Sequence, residues 1–476
     1  METIIELGYL IALVCFVLGI KGMSDPATAN RGNRVLALGM GLAIVVTLLW
    51  PSLSNLPYIL GSLILGSWIG LRMSGKAQMT EMPQMVSLLN GYGGLAAALV
   101  ALAEVVDLLY GEGLLNLLTQ TSGMGSMGSY YLIFYIVTLM ISLSVGGISF
   151  TGSLLAMAKL DGKVSGQPIR FSLQGFVTNG LLVIMVLLIG AMVAYPTQAE
   201  PMVYLLLLAS LAYGVLFVLP IGGADMPVVI SFLNSLTGLT AATTGLLFDN
   251  RAMLMGGVLV GASGVYLTVL MCKAMNRTLG AVLLGQFNAS SAGAGREISG
   301  QIKEIGTYDA AVLLAYSSRV VVVPGYGMAV AQAQHPMHEL EKILVSKGVE
   351  CRYAIHPVAG RMPGHMNVLL AEADVSYDVL LEMDAINPDF PQTDVVVVVG
   401  ANDVVNPAAE NDPGSPVYGM PILKAYQAKN IIVIKRSMAA GYAGVENELF
   451  YDPKTRMLFG DAKNVLSELI QAVKGL

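Results

Sequence analysis

The feature that most restricts what this chain can fold into is a succession of uncharged apolar stretches, each about as long as a bilayer is thick. A hydrocarbon core of ~30 Å is spanned by ~20 predominantly apolar residues in a helix. Nine segments meet that requirement, at roughly 4–20, 33–50, 55–72, 83–106, 129–148, 173–195, 201–221, 226–248 and 251–274. Lipid offers no water to unpaired backbone groups, so stretches of this kind are helical throughout. Small residues recur inside them (Gly91, Gly93, Gly94; Gly261, Ala262, Gly264), as close helix contact in lipid requires. The first stretch starts almost at Met1, and no small-residue cleavage site follows Ile11 to Ile20. It therefore reads as a retained span and not a removable signal.

Charge is spread unevenly. Only 12% of the 476 residues are charged and 55% are hydrophobic, with a mean hydropathy of +0.68. Most charges lie beyond about residue 275, which divides the chain into a membrane domain (1–280), a flexible linker (281–305) and a water-soluble domain (306–476). The linker reading rests on the Gly/Ala/Ser tract at 285–300, a composition that keeps a segment flexible. A net charge of −6 argues against nucleic acid as a partner. Cys15, Cys272 and Cys351 stand alone, which suggests neither a disulfide framework nor a metal site.

The loops fix the expected orientation. Lys21, Arg31, Arg34, Arg72, Lys76, Lys159, Lys163, Arg170, Lys273 and Arg277 fall on one side of the membrane. The other side has Arg251 together with Glu104, Asp107, Glu112 and Glu200. The positive-inside rule then places the N-terminus outside and residues from 275 onward in the cytoplasm, as an odd number of spans demands. Polar residues inside the spans are where function would reside. No His precedes residue 335, and the candidates are Asn90, Ser153 (just after the fifth span), Asn179 and Asn234. For each of them plain interhelical hydrogen bonding is the alternative. Glu81-Met82-Pro83 and Asp225-Met226-Pro227 both set an acid before a proline-started helix, which suits helix capping. For Asp225 a proton port at the cytoplasmic end stands beside the cap.

Beyond the linker, strand-like runs at 319–324, 350–355, 377–382, 394–400, 429–434 and 456–459 alternate with helical runs near 329–347, 364–373, 420–428 and 461–474. Such alternation gives right-handed crossovers and a parallel sheet covered on both faces. The fold class is thus an α-helical membrane bundle of about nine spans followed by an α/β, Rossmann-like domain with a six-stranded parallel sheet. In such sheets ligands sit outside the carboxyl ends of the strands. After the first strand comes Pro324-Gly325-Tyr326-Gly327-Met328-Ala329-Val330, a glycine turn of the kind that lets backbone approach a pyrophosphate, with Val330 where Gly or Ala is usual. After the second comes His356-Pro357-Val358-Ala359-Gly360-Arg361-Met362-Pro363-Gly364, lacking the acid with which an NAD-type fold grips a ribose. After the fifth, Lys435-Arg436 suits a 2′-phosphate, a solvated surface pair being the alternative. A missing acid after strand two and a basic pair after strand five favour NADP over NAD and place the adenosine over strand five, the reverse of the usual pose. Residues 437–446 look like a mobile lid carrying Tyr442. Asp403, after the fourth strand, either senses the nucleotide through a raised pKa or simply makes local turn bonds.

Taken together, these residues resemble the β subunit of the proton-translocating NAD(P) transhydrogenases. The likeness runs from Met79-Thr80-Glu81-Met82-Pro83 to Gly460-Asp461-Ala462. Its most specific motifs are Gly222-Gly223-Ala224-Asp225-Met226-Pro227, Pro324 to Gln334, His356 to Arg361, Gly400-Ala401-Asn402-Asp403 and Lys435-Arg436-Ser437-Met438. The resemblance implies a membrane enzyme that passes hydride between NAD(H) and NADP(H) while protons cross the bilayer, with NADP(H) bound in a flipped orientation on this chain. It assigns nucleotide contact to Gly325, Tyr326 and Gly327, to Val358, Ala359, Gly360, Arg361, Met362 and Pro363, and to Gly400, Ala401, Asn402, Asp403 and Val404. Gly419, Met420, Lys435, Arg436, Ser437, Met438, Ala439, Ala440, Gly441, Tyr442, Asp461 and Ala462 complete that set. Asn234, Ser153, Asp225 and Gly264 fall on positions tied to proton conduction or coupling, and Asp403 on the acid that links proton and nucleotide states.

One departure matters. Other members have His where this chain has Asn90, and an amide cannot take up and release a proton near neutral pH. A companion subunit is therefore expected to supply a titratable residue, His foremost, facing Asn90. Hydride transfer between two nucleotides also needs a second site, so the resemblance implies an alpha partner, in one chain or two, carrying the NAD(H) domain and further membrane helices. It further implies a dimer of the whole complex in the inner (plasma) membrane of a bacterium. No side chain is expected to act as acid or base in the transfer, which proceeds by positioning. The rival reading is a transporter whose cytoplasmic domain only senses nucleotide. Such domains keep the acid after strand two, which this chain lacks.

Overall fold

The computed structural model describes residues 2–24, 26–50, 53, 55–110, 126–195, 199–275, 278–283, 300–362, 364–415, 417–439, 441 and 443–476. Most of the expected linker lies outside this set, as do Pro363, Ala440 and Tyr442. The chain forms two compact units: Met1–Gly222 with Val229–Thr268, and Gly223–Val228 with Val269–Leu476.

Among the described residues nine helices are long and apolar enough to cross a membrane. They are α1 (Glu2–Met23), α2 (Pro26–Leu48), α3 (Leu56–Ser74), α4 (Met82–Tyr110), α5 (Ser126–Leu160), α6 (Gln174–Ala194), α7 (Ala199–Val218), α8 (Met226–Leu247) and α9 (Arg251–Ala274). In the first unit Ala98, Ala101 and Val105 of α4 pack with Leu139 and Leu143 of α5, Met185 and Met192 of α6, and Val203 and Leu206 of α7. Small residues set the closest approaches. A Cβ on Gly94 would come within 2.9 Å of the Gly146 carbonyl oxygen, and one on Gly264 within 2.9 Å of the Ser235 backbone. Gly264 is therefore required for α8–α9 packing, whatever else it does. Helix α3 buries none of its side chains.

Helix α5 overruns its expected end at residue 148 and reaches Leu160, because Leu154-Leu155-Ala156-Met157-Ala158 are good helix formers with no breaker among them. Ser153 consequently lies inside the helix and not after it. Lys159, read above as a loop charge, is the penultimate residue of α5 and is buried.

The second unit carries a six-stranded sheet of order β3-β2-β1-β4-β5-β6, all neighbours parallel. The strands are β1 (Arg319–Pro324), β2 (Glu350–Ile355), β3 (Leu380–Glu382), β4 (Val395–Val399), β5 (Asn430–Lys435) and β6 (Thr455–Phe459). Every residue of β4 is buried, as expected for a valine run covered on both faces. After α10 (Leu279–Leu283) and α11 (Thr307–Ala315), the helices of five or more residues around the sheet are α12 (Tyr326–Val330), α13 (Gln334–Ser346), α14 (His365–Glu372) and α15 (Ala462–Lys474).

Three elements differ from expectation. The helix read at 329–347 is two helices: the ring of Pro336 excludes the helical carbonyl of Gln332, so the chain turns there (Gln332 φ 51°) and restarts with Pro in the first turn of α13. The strand read at 377–382 is a 3-10 turn over Tyr377–Val379, started by Ser376, with only three strand residues after it. At 420–428 there is no α-helix, only a 3-10 turn over Ala425–Gln427. Pro421, with a ring that fixes φ and no N–H to donate, disfavours a helix through that stretch.

Candidate functional site

The strand order reverses between β1 and β4, so the crevice at their carboxyl ends is where such a sheet takes a ligand. Its floor is sewn by main-chain hydrogen bonds from glycines. The Gly325 N–H donates to Val399 O (2.9 Å), Gly327 to Gly400 O (2.9 Å), Gly400 to Ile434 O (3.3 Å) and Gly460 to Lys435 O (3.1 Å). A Cβ on Gly325 would fall on the backbone of Gly400 and Ala401, and one on Gly327 within 2.7 Å of Gly400 Cα. Gly400 has φ 67°. These glycines are thus explained first by the contact of two turns with each other. Two of the N–H groups expected to face a phosphate, those of Gly325 and Gly327, are already spent on main-chain oxygens, so cationic side chains become the groups to look for.

Those cations are present. Arg361 stacks over the Tyr326 ring at 4.4 Å, a favourable cation–π arrangement. Lys435 at the end of β5 lies 4.7 Å from the Phe450 ring centroid and donates to Ala439 O at 2.6 Å. Burial pulls its pKa down, opposed by the charge of Asp403. Arg436 is exposed. Lys435 and Asn402 help line a small recess, with Met438, Glu446, Asn447 and Phe450 among the other walls.

Two histidines brace the loop after β2. His356 Nδ1 accepts the Val358 N–H (3.2 Å), which leaves Nε2 to donate to Pro421 O (2.8 Å). Its burial lowers the pKa to about 4, against the opposing effect of the Pro421 bond, so it is a neutral strut. His365, the first residue of α14, accepts the Arg361 N–H on Nδ1 (3.0 Å). Its ring lies 6.2 Å from that of Tyr326. Burial and the Arg361 charge both lower its pKa, and the buried Nε2 has no hydrogen-bond partner among the described residues. Gly360, at φ 101°, makes room for this ring: a Cβ there would lie 2.6 Å from Nδ1.

The segment after β5 is fastened to the loop after β4. Asp403 Oδ2 accepts the Ala443 N–H (2.9 Å), Asn406 Nδ2 donates to Glu446 O (3.0 Å), and Asn447 Nδ2 donates to Asn402 O (2.9 Å) and Oδ1 (3.1 Å). Gly441 is needed here, because a Cβ would fall on the side chains of Asn402 and Asp403. Asn402 Nδ2 is buried without a partner among the described residues. Met420 packs in one cluster with Val417 and Ala443, while the Gly419 N–H donates to Ala409 O (2.7 Å). Asp461 is the N-cap of α15, accepting from Lys463 N (3.1 Å) and Asn464 N (3.4 Å), with Ala462 buried behind it.

The crevice thus gathers residues around Tyr326, Val358–Met362, Gly400–Val404, Gly419–Met420, Lys435–Ala439 and Gly441. Sequence reasoning passed over His365, Asn406 and Asn447. The available signal was polar residues set among apolar ones, Val404-Val405-Asn406 and Asn447-Glu448-Leu449-Phe450. A set rich in cations and unspent donors fits an acceptor-rich ligand such as a dinucleotide phosphate.

The first unit holds a second polar cluster where α4, α5 and α8 meet. Asn90 Nδ2 donates to Ser153 Oγ (2.9 Å) and, more weakly, to Ser149 Oγ (3.4 Å). Ser87 Oγ donates to Ser153 O (2.8 Å), and Ser149 bonds Thr237 and Leu233 O. Asn90 Oδ1 is buried with no partner among the described residues. Asn234 is half-buried on α8 and makes no hydrogen bond to this cluster. Asp225, 1% exposed, lies in the second unit on the 3-10 turn that enters α8.

The apolar helices, nine among the described residues, and a doubly wound parallel sheet with a cationic crevice define a membrane protein that carries a domain of the dinucleotide-binding type. A family model for the NAD(P) transhydrogenase beta subunit matches residues 5–472. Two curated relatives from Rhodospirillum rubrum, both described as NAD(P) transhydrogenase subunit beta, are 45% identical over 468 residues, covering 98% of this chain and 98% of theirs. The chain belongs to the NAD(P) transhydrogenase beta subunit family.

Proposed function

We propose that this chain is the NADP(H)-binding, proton-conducting half of a transhydrogenase that couples hydride exchange between NAD(H) and NADP(H) to proton movement across a bacterial inner membrane. The observation that carries the reading is the cation set at the strand ends, Arg361, Lys435 and Arg436, beside two buried donors without an acceptor among the described residues, Asn402 Nδ2 and His365 Nε2. Bound there, NADP(H) supplies the hydride chemistry. The 2′-phosphate falls to Lys435 and Arg436, which reverses the usual pose and turns Tyr326 and Arg361 toward the nicotinamide half. The remaining predicted contacts complete the proposed site; Pro363, Ala440 and Tyr442 are assigned to it by the resemblance alone. Asp403 ties the lid to the floor and is the residue through which lid closure answers to charge.

In the membrane, Asn90, Ser153 and Ser149 order a hydrogen-bonded path, with Asn234, Gly264 and Asp225 supporting conduction and coupling. Asn90 Oδ1, buried without a partner among the described residues, is free to accept from a titratable group on the companion. The division into 1–280, 281–305 and 306–476 follows these tasks, with the N-terminus periplasmic and the last domain cytoplasmic. Activity requires an alpha partner with its own NAD(H) site, in a complex that dimerises.

Vesicles containing the complete complex test the proposal. NADPH should reduce an NAD analogue while protons move, read with a pH-sensitive dye. Reduction with no proton movement removes the pump. Failure of the isolated chain to bind NADP(H) removes the site.

A further inference from the structure

Lys159 has no part in the sites above, yet it is an unusual residue. Its side chain belongs to a residue only 3% exposed, at the end of a membrane helix. Nζ donates to three main-chain oxygens, Val218 (3.3 Å), Leu219 (2.6 Å) and Ile221 (2.8 Å). These are the last residue of α7 and two of the three that follow it. A helix ends with unpaired carbonyls and a partial negative charge, so an ammonium there is held by main chain and not by a carboxylate. The same end is gripped twice more. Gln174 Nε2 donates to Leu216 O (3.2 Å) and the Ile169 N–H to Leu219 O (3.2 Å).

What this clamp holds gives it meaning. Immediately after Ile221 the chain passes from the first compact unit to the second, between Gly222 and Gly223, and Asp225 follows. In the other direction, α5 carries Ser153 and Ser149, six and ten residues before Lys159, or about 9 and 15 Å along an uninterrupted helix. One rigid rod therefore bears the hydroxyls that bond Asn90 and the cation that holds the crossing into the second unit.

We propose that Lys159 is a positioning residue for coupling: it makes movement of α5 at the Asn90–Ser153–Ser149 cluster move the Gly223–Val228 passage, which belongs to the unit bearing the nucleotide crevice. This rests on the pump reading above. A second, independent requirement is geometric: three oxygens converging on one point suit the compact lysine head and not a planar guanidinium.

The test uses the complete complex in vesicles, comparing wild type, Lys159→Met, Lys159→Arg and Gln174→Met. Three quantities are read: NADPH-dependent reduction of an NAD analogue, its stimulation by an uncoupler, and protons moved per hydride. Lys159→Met should retain exchange while protons per hydride and uncoupler stimulation fall roughly tenfold, within the usual range of coupling effects. Lys159→Arg and Gln174→Met should show the same loss to a smaller degree. A merely structural lysine would lower the yield of complex and leave protons per hydride unchanged in what survives, which overturns the inference. If Lys159→Met does not assemble, an unchanged ratio in both Lys159→Arg and Gln174→Met overturns it equally. Wild-type complex that exchanges hydride without moving protons refutes the pump reading instead.

Discussion

Replacing Gly327 by Ala tests the floor of the crevice directly. The new Cβ would lie 2.7 Å from Gly400 Cα, where ordinary contact starts at 3.4 Å. Both partners are backbone in tight turns, so neither can rotate away, and the turns after β1 and β4 must part by about 0.7 Å. The bond from Gly327 N to Gly400 O, 2.9 Å long, then stretches beyond useful length. Overpacking costs about 1–3 kcal/mol and the weakened bond about 1 kcal/mol, so the second unit should lose roughly 2–4 kcal/mol. The same displacement moves Tyr326, and Arg361 with it, so NADP(H) affinity should fall about tenfold or more. Gly348→Ala is the control: at φ 86° it carries backbone strain, but a Cβ there meets nothing within 4 Å. Thermal unfolding and NADPH fluorescence titration of the purified protein distinguish the two. Gly348→Ala should cost stability alone, Gly327→Ala stability and binding. Wild-type affinity in Gly327→Ala would refute the claim that the two turns form one binding floor.

Other outcomes follow from the same geometry. His356 has its pKa depressed to about 4. The stability of its neutral form is therefore intact above the ordinary value near 6.5 and lost as pH falls toward 4, up to about 3 kcal/mol. Hydrogen-exchange protection factors of 353–359 and 421–423, corrected for the intrinsic pH dependence of exchange, should fall between pH 6.5 and 4, and an acid profile unchanged by His356→Gln would contradict this. Arg436→Ala should weaken NADP(H) binding about ten- to a hundredfold while leaving NAD(H) binding alone, as loss of one charge-assisted bond predicts. Equal effects on both nucleotides would move the 2′-phosphate elsewhere. Asn90→Ala breaks the bonds to Ser149 and Ser153 and should slow proton flux more than uncoupled hydride exchange. A companion subunit whose spans contain no His, Asp or Glu would sink the idea of a proton carrier facing Asn90.

Sequence patterning revealed most of the architecture because apolar length and strand alternation are local signals. Val395–Val399 could hardly be anything but a central strand, and nine apolar stretches leave little choice but helices. What escaped depended on partners distant in sequence. Lys159 counts as a cytoplasmic loop charge until α7 is seen to end against it. His365 is one polar residue in a helical run until Arg361 and Tyr326 gather beside it. Asn406 and Asn447 become visible only when 40 residues of intervening chain bring the lid back onto the loop after β4. The break before Pro336 was the exception: its cause was local, and the run of alanines around it masked a proline that forbids continuity.

The four glycine N–H bonds that stitch β1, β4, β5 and β6 at their carboxyl ends make the base of the crevice a main-chain object. Side-chain replacement cannot retune it, except by displacing a glycine and damaging it outright. If the proposed function holds, selectivity must therefore reside in the side chains of the rim, Arg361, Asp403, Lys435 and Arg436 among them. A drifting lineage, or an engineer, is free to rewrite that rim for another cofactor while the platform beneath stays as it is.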